Sequence, residues 1–150
     1  MQKLKFKRNI KKRIIATVID YSVFFLMFYV YLLFFGTYED DGSLMARGWT
    51  AFPVLIIWIG YFVIIEGTQG GTLAHLALGL KVVKADNRRN IGIQNAFIRH
   101  LLDPLDIYAW GLVAFMTVYF SDKHQRIGDL VAKTIVIDTG DPEQMQKENN

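Results

Sequence analysis

From Ile14 to Phe35 the chain runs through 22 residues that carry a single charge, Asp20. About 20 apolar residues are what a helix needs to cross the ~30 Å hydrocarbon core of a bilayer. A helix is also the one form in which a single segment satisfies its own backbone there. Asp20 is costly in such a place: a carboxylate at the bilayer centre costs roughly 2.5 to 3.5 kcal/mol and marks a buried partner or an ion pathway. It sits about 9 Å in from Ile14 at ~1.5 Å per residue, so its cost is smaller than that. Arg13 lies seven residues earlier, and at roughly 100° per residue seven steps return to nearly the same face. Arg13, Ala16, Thr17 and Asp20 therefore form one stripe, which is expected to face protein rather than lipid. Two readings of Asp20 stand at this point: a glue between helices, or a direct part in transport.

With 150 residues the chain makes one domain, and a hydrophobic content of 52% places it among membrane proteins. It has no cysteine, which excludes a disulfide scaffold, a thiolate nucleophile and cysteine-ligated zinc. Seven of the seventeen Lys and Arg residues fall in the first thirteen positions. A nucleic-acid arm would show such a block, but beside a spanning segment it reads as cytoplasmic retention, with attraction to anionic lipid as a second role. No nucleic-acid partner is expected. The apolar run exceeds the roughly 7 to 15 residues of a signal-peptide core, and no small-residue cleavage site follows Phe34-Phe35-Gly36, so it is read as an anchor that stays.

Glu39, Asp40 and Asp41 mark the next loop as external. A second apolar run, Ala51 to Ile65, extends through Thr50 and Trp49, with Pro53 in its first turn and Glu66 closing it on the cytoplasmic side. Gly67 to Leu102 carries Lys81, Lys84, Arg88, Arg89 and Arg99 against Asp86 alone, and reads as cytoplasmic. Within it Thr72 to Leu80 suits a short helix ended by Gly79, Leu80 to Val83 a strand, and residues 86–90 a turn. Ile91 to Leu102 suits a helix with Ala96, Phe97 and Leu101 on its apolar side. The third apolar segment, Leu105 to Phe120, is opened by Pro104 and Asp106 and interrupted by Gly111. A simple crossing would place Lys123, Arg126 and Lys133 outside, against the charge bias, so a re-entrant path paired with Ile91 to Leu102 is favoured over a full span. Thr134 to Ile137 is β-branched and pairs naturally with Leu80 to Val83.

Enzyme signatures are absent. The cluster Gly67-Thr68-Gln69-Gly70-Gly71-Thr72 lacks the lysine of a phosphate loop, and His75, His100 and His124 show no i, i+4 pairing, so no metal, no cofactor and no catalytic residue is expected. Ordered motifs do stand out: Arg13-Ile14-Ile15-Ala16-Thr17-Val18-Ile19-Asp20, then Gly71-Thr72-Leu73-Ala74-His75 with Gly79-Leu80-Lys81-Val82-Val83, then Gln125-Arg126-Ile127-Gly128-Asp129-Leu130-Val131-Ala132. Across residues 10 to 138 they resemble the RDD family of polytopic membrane proteins, named for one arginine and two aspartates, here Arg13, Asp20 and Asp129. Gly71, Thr72, Gly79 and Lys81 occupy its central motif. Ala74-His75 stands where the family usually has Gly-Lys, and Lys133 where a small residue is usual.

The expected architecture is an all-α membrane protein: a small helical bundle with two clear transmembrane helices, a third membrane segment that spans or re-enters, and a short cytoplasmic β element. Residues 1–13 form a basic cytoplasmic N-terminus, 14–138 the membrane domain and 139–150 a polar disordered tail. The chain is expected to be integral to a bacterial cytoplasmic membrane and to be no enzyme. What the resemblance implies for function is transport, cation/proton exchange included. Carboxylates in or at apolar segments can trade a proton for a cation, so Asp20, Asp106 and Glu66 are the expected ion or proton site, with Arg13 tuning Asp20. So small a chain would act as a homo-oligomer. The alternative is a scaffold or assembly factor that binds lipid or a membrane-protein partner through its basic cytoplasmic face. Asp129 is expected within reach of Arg13 or another basic residue.

Overall fold

The structure, a computed structural model, describes residues 9–107 and 111–145. Lys3, Lys5, Lys7 and Arg8 of the basic N-terminus, residues 108–110 of the third apolar segment and residues 146–150 of the tail lie outside them.

Helix α1, Ile10–Phe35, is 26 residues long and buries only Ala16, Asp20 and Leu32. Its large side chains, among them Val18, Phe25, Leu26 and Phe34, are exposed. Helix α2, Gly48–Gln69, begins with a 3-10 turn, carries Pro53 at its start and passes through a π-helical stretch at Ile59–Ile64. At ~1.5 Å per residue the two are about 39 and 33 Å long. Of their most apolar stretches only 11% and 17% is buried. A core helix of a soluble protein hides such a surface; two long helices that display it on most sides are of the length and composition that cross a bilayer. They are joined by a small antiparallel hairpin, β1 (Thr37–Tyr38) with β2 (Leu44–Met45). In the π-helical stretch Tyr61, Phe62 and Val63 are all buried, so three consecutive residues turn inward where a regular helix would send one of them out.

Gly70, at φ 83°, ends α2. Helix α3 (Leu73–Ala77) follows, Gly79 turns the chain at φ 72°, and strand β3 (Leu80–Lys84) leads through the 86–90 turn into α4 (Gly92–Leu101). Then come α5 (Asp103–Ile107), α6 (Leu112–Phe120), α7 (Ile127–Val131), β4 (Thr134–Asp138) and α8 (Pro142–Met145). β3 and β4 pair antiparallel from Leu80↔Asp138 to Lys84↔Thr134. Leu80, Val82 and Val136 of this pair join Ala16, Val63, Ala74, Ile91 and Ala96 in one apolar core.

Contacts fix the path. Arg13 donates to the carbonyls of His124 (2.8 Å) and Val136 (3.2 Å), so the start of α1 sits on the β4 side of the molecule. α4 starts against Gly67, whose pro-Cβ position is 2.6 Å from the Ile93 Cα, and ends with the His100 ring 5.2 Å from that of Phe62. The chain thus climbs along α2 from its end and is back beside Arg13 by His124.

The Leu105 to Phe120 segment is interrupted at Gly111, as the sequence suggested: Gly111 is at φ 78°, and α6 has nine residues, about 14 Å. Among the described residues two helices, α1 and α2, are long and apolar enough to cross a bilayer. On α4, Ala96 is buried but Phe97 and Leu101 are exposed; Arg99 and His100 point inward instead. In the part of the 139–150 tail that is described, Gln144 is buried, its Oε1 accepting from Asp138 N (3.1 Å) and Asn9 Nδ2 (3.2 Å).

Candidate functional site

Two buried polar groups lie at the end of the bundle where α1 begins and α2 ends. The first surrounds Asp20. Its Oδ1 accepts from Tyr61 Oη (2.9 Å) and Ala74 N (3.0 Å), and its Oδ2 faces Thr72 Oγ1 (2.5 Å) and His75 Nδ1 (2.9 Å). The inward turn of α2 supplies Tyr61, while the Gly70-Gly71 exit sets Thr72 and the start of α3 beneath the carboxylate. A carboxylate anion has about four acceptor positions, and here four donors take them. Because Asp20 can only accept in that state, the hydrogen of the His75 imidazole belongs on Nδ1. His75 is thus a direct partner of Asp20.

The second group is built on Arg99, whose side chain is 2% exposed. Its Nε donates to Glu66 Oε1 (2.7 Å), and its Nη1 donates to Asp129 Oδ1 and to Thr134 Oγ1 (3.0 Å). One planar fork therefore ties α2, α4, α7 and β4 together. Next to it His100 places Nε2 3.3 Å from Glu66 Oε1 and Nδ1 2.7 Å from Asp103 Oδ2. Tyr21 Oη donates to the same Asp103 oxygen (3.1 Å), and Arg126 Nη1 lies 3.0 Å from Asp103 Oδ1. Asp129 also has Arg126 Nε at 3.6 Å and Arg13 Nη1 at 3.7 Å, while its Oδ2 accepts the Arg126 backbone N–H (3.1 Å). Asp106 accepts the N–H groups of Ile127 (3.0 Å) and Gly128 (3.2 Å), closing the start of α7. Gly128 is obligatory, because a Cβ there would meet the Arg99 carbonyl oxygen at 2.7 Å.

Four carboxylates, Glu66, Asp103, Asp106 and Asp129, meet three arginines, Arg13, Arg99 and Arg126. His100 can supply the fourth positive charge. Burial alone would lower its pKa, but Glu66 and then the Asp103 hydrogen bond overcome that, and the imidazole is held above its ordinary value. Burial pushes Asp103 up, yet Arg126 and His100 more than offset it and hold the carboxyl below the usual range.

Of the residues singled out in the sequence, Arg13 and Asp129 come together, Thr72 joins Asp20, and Glu66 and Asp106 belong to the second group. Asp20 and Asp106 share no partner. Gly71 and Gly79 shape the path into β3, and Lys81 stays outside both groups, its stem against Gly70. The reading of the sequence missed the Arg99 hub, His100, Tyr61 and Thr134. Ala96, Arg99 and His100, spaced i, i+3, i+4, were the available signal for the first two.

A small cavity of about 20 Å³ separates the two groups, lined by Asp20, Tyr21, Glu66, His100, Asp103 and Arg126 among others. That is room for about one water molecule. Among the described residues no three His, Asp or Glu side chains are arranged to hold a metal ion.

No curated protein and no solved structure matches the chain. The model of the RDD family matches residues 8–133, a span that holds every ionisable member of the Arg99 group, together with Asp20 and His75. On that match the chain belongs to the RDD family.

Proposed function

We propose that the chain is a membrane scaffold, in which the Arg99 group is a rigid joint fastening the ends of two spanning helices to the β3–β4 cap. The observation that carries this reading is that the buried carboxylates are already occupied. A cation at Asp20 would displace Tyr61, Thr72, Ala74 N or His75, and one at Glu66 would displace Arg99. On the positive-inside bias the joint and the β pair lie at the cytoplasmic interface, from which the third apolar segment re-enters the bilayer. Cysteines introduced at Ser43 and Asn87 test the topology in intact cells: external labelling is expected at position 43, and labelling at 87 instead reverses the assignment.

Proton transfer is the second reading, and the small cavity favours it. His100 Nε2 and Asp103 Oδ1 are buried and face Glu66 and Arg126 at 3.3 and 3.0 Å without hydrogen-bond alignment, and both side chains line the space that reaches Asp20. Liposomes holding the purified protein separate the two readings. The scaffold predicts no pH-gradient-driven, sodium or potassium flux above empty vesicles. A flux that Asp20→Asn abolishes while the protein stays folded overturns it.

A further inference from the structure

An open groove of about 650 Å³ runs between α4, the end of the β pair and α7. Lys84, Lys123 and Lys133 line it, opposed by Asp86, with Ile98, Leu130 and Val131 as apolar wall. Backbone geometry gathers the three lysines. Lys84 stands opposite Thr134 in the β register, so it is next to Lys133, whose carbonyl accepts the Ala85 N–H (2.9 Å). Lys133 itself takes a left-handed turn at φ 53° between α7 and β4. Gln125 donates to the Thr134 carbonyl (2.6 Å) and so brings Lys123 to the same edge. None of the three ammonium groups has a side-chain partner among the described residues, whereas Arg13, Arg99 and Arg126 are all engaged below.

The apolar wall continues into the surface that faces lipid. Around α4, at about 100° per residue, Ile98 follows the exposed stripe of Ile93, Phe97 and Leu101, and Arg99 with His100 occupies the inward side. Leu130 and Val131 are exposed on α7. A site with three free ammonium groups at one edge and an aliphatic wall leading towards the bilayer is complementary to a molecule with a phosphate at one end and a hydrocarbon chain at the other. We propose that the groove seats the headgroup of an anionic phospholipid from the cytoplasmic leaflet, its phosphate on Lys84, Lys123 and Lys133 and its first acyl carbons along Ile98, Leu130 and Val131.

This rests on the scaffold reading only in placing the groove at the cytoplasmic leaflet. The test uses the full chain in detergent micelles, with phosphatidylglycerol, phosphatidylcholine and inorganic phosphate as probes. Native mass spectrometry counts retained lipid, and thermal unfolding reports stabilisation. Wild type is expected to retain and be stabilised by phosphatidylglycerol and not by the other two. Each lysine near an anionic surface is worth about fivefold in affinity, so the K84Q/K123Q/K133Q variant should lose on the order of a hundredfold, while its unfolding temperature in phosphatidylcholine is unchanged. D86N should retain more phosphatidylglycerol than wild type. Equal retention of the two lipids, a triple variant that keeps the preference, or equal stabilisation by free phosphate overturns the proposal. Ion flux in liposomes strikes at the scaffold and leaves the lipid result standing, so the two failures are distinguishable.

Discussion

Arg99→Ala removes a side chain that donates hydrogen bonds to two buried carboxylates, Glu66 and Asp129. Glu66 and Asp129 are 1% and 0% exposed as side chains, so neither can recover the lost hydrogen bonds from water. Breaking a buried ion pair by deleting one partner costs about 3 to 5 kcal/mol. His100 at 3.3 Å from Glu66, and Arg126 and Arg13 at 3.6 and 3.7 Å from Asp129, retain part of the neutralisation. The lower half of that range, about 3 to 4 kcal/mol, is therefore expected. Arg99→Lys should recover only part of it: a single ammonium cannot stand at both the Nε and the Nη1 positions, and each charged hydrogen bond is worth about 1.5 to 3 kcal/mol. Adding Glu66→Gln to Arg99→Ala should cost less than the sum of the singles by about 1 kcal/mol or more, because the double variant no longer buries a Glu66 carboxylate that has lost Arg99, and only Asp129 still lacks it. Reversible unfolding in mixed detergent micelles, followed by tryptophan fluorescence, supplies these differences. An Arg99→Ala loss below about 1 kcal/mol, or strictly additive singles, would refute the joint.

Asp20→Asn replaces an acceptor facing four donors by an amide that presents an N–H to at least one of them; a loss of about 1 to 3 kcal/mol in the same unfolding assay is expected with insertion intact, and an unchanged stability counts against a saturated Asp20. Gly128→Ala forces a methyl against the Arg99 backbone and should cost at least about 1 to 3 kcal/mol, whereas Gly60→Ala, also helical and with open space around its Cβ position, should cost nothing comparable. His100, raised in the fold by Glu66 and Asp103, contributes stability that is full below its ordinary value of about 6.5 and disappears as pH rises through the raised value. The difference in melting temperature between wild type and His100→Gln should shrink on the alkaline side, and a gap that widens there has the wrong sign.

Much of the fold was open to reading because lipid simplifies the problem. A 22-residue apolar run has one structural solution, and the Arg13 to Asp20 spacing put one face of it inward; Ala16 and Asp20 are, with Leu32, its buried residues. Thr134 to Ile137 and Leu80 to Val83 were the two short β-branched runs, and a strand needs a partner. The third apolar segment was harder, since α6 and the residues before it are too short to be sorted by length. Their course depends on Gly111 and on long-range contacts of Asp103 and Asp106 with Tyr21, Arg126 and the start of α7 that no local pattern encodes.

The site was harder still, for a reason that α4 makes plain. In water the apolar side of a helix seeks the core, so Phe97 and Leu101 were natural candidates for burial. Beside a bilayer the same side is equally content with lipid, and the groups that must find protein are the charged ones. Arg99 and His100 turn inward because there Glu66, Asp103 and Asp129 satisfy them, and the helix is apolar outside and polar within. Arg13, Ala16 and Asp20 on α1 obey the same inversion. Charge spacing, and not apolar spacing, is then the guide to the packed face: i, i+7 on α1 and i, i+1, i+4 across Arg99, His100 and Asp103. This logic also bears on function. Charges gathered by the requirement to avoid lipid need no transported ion to explain them, and a carboxylate whose acceptor positions are filled has nothing left with which to bind one.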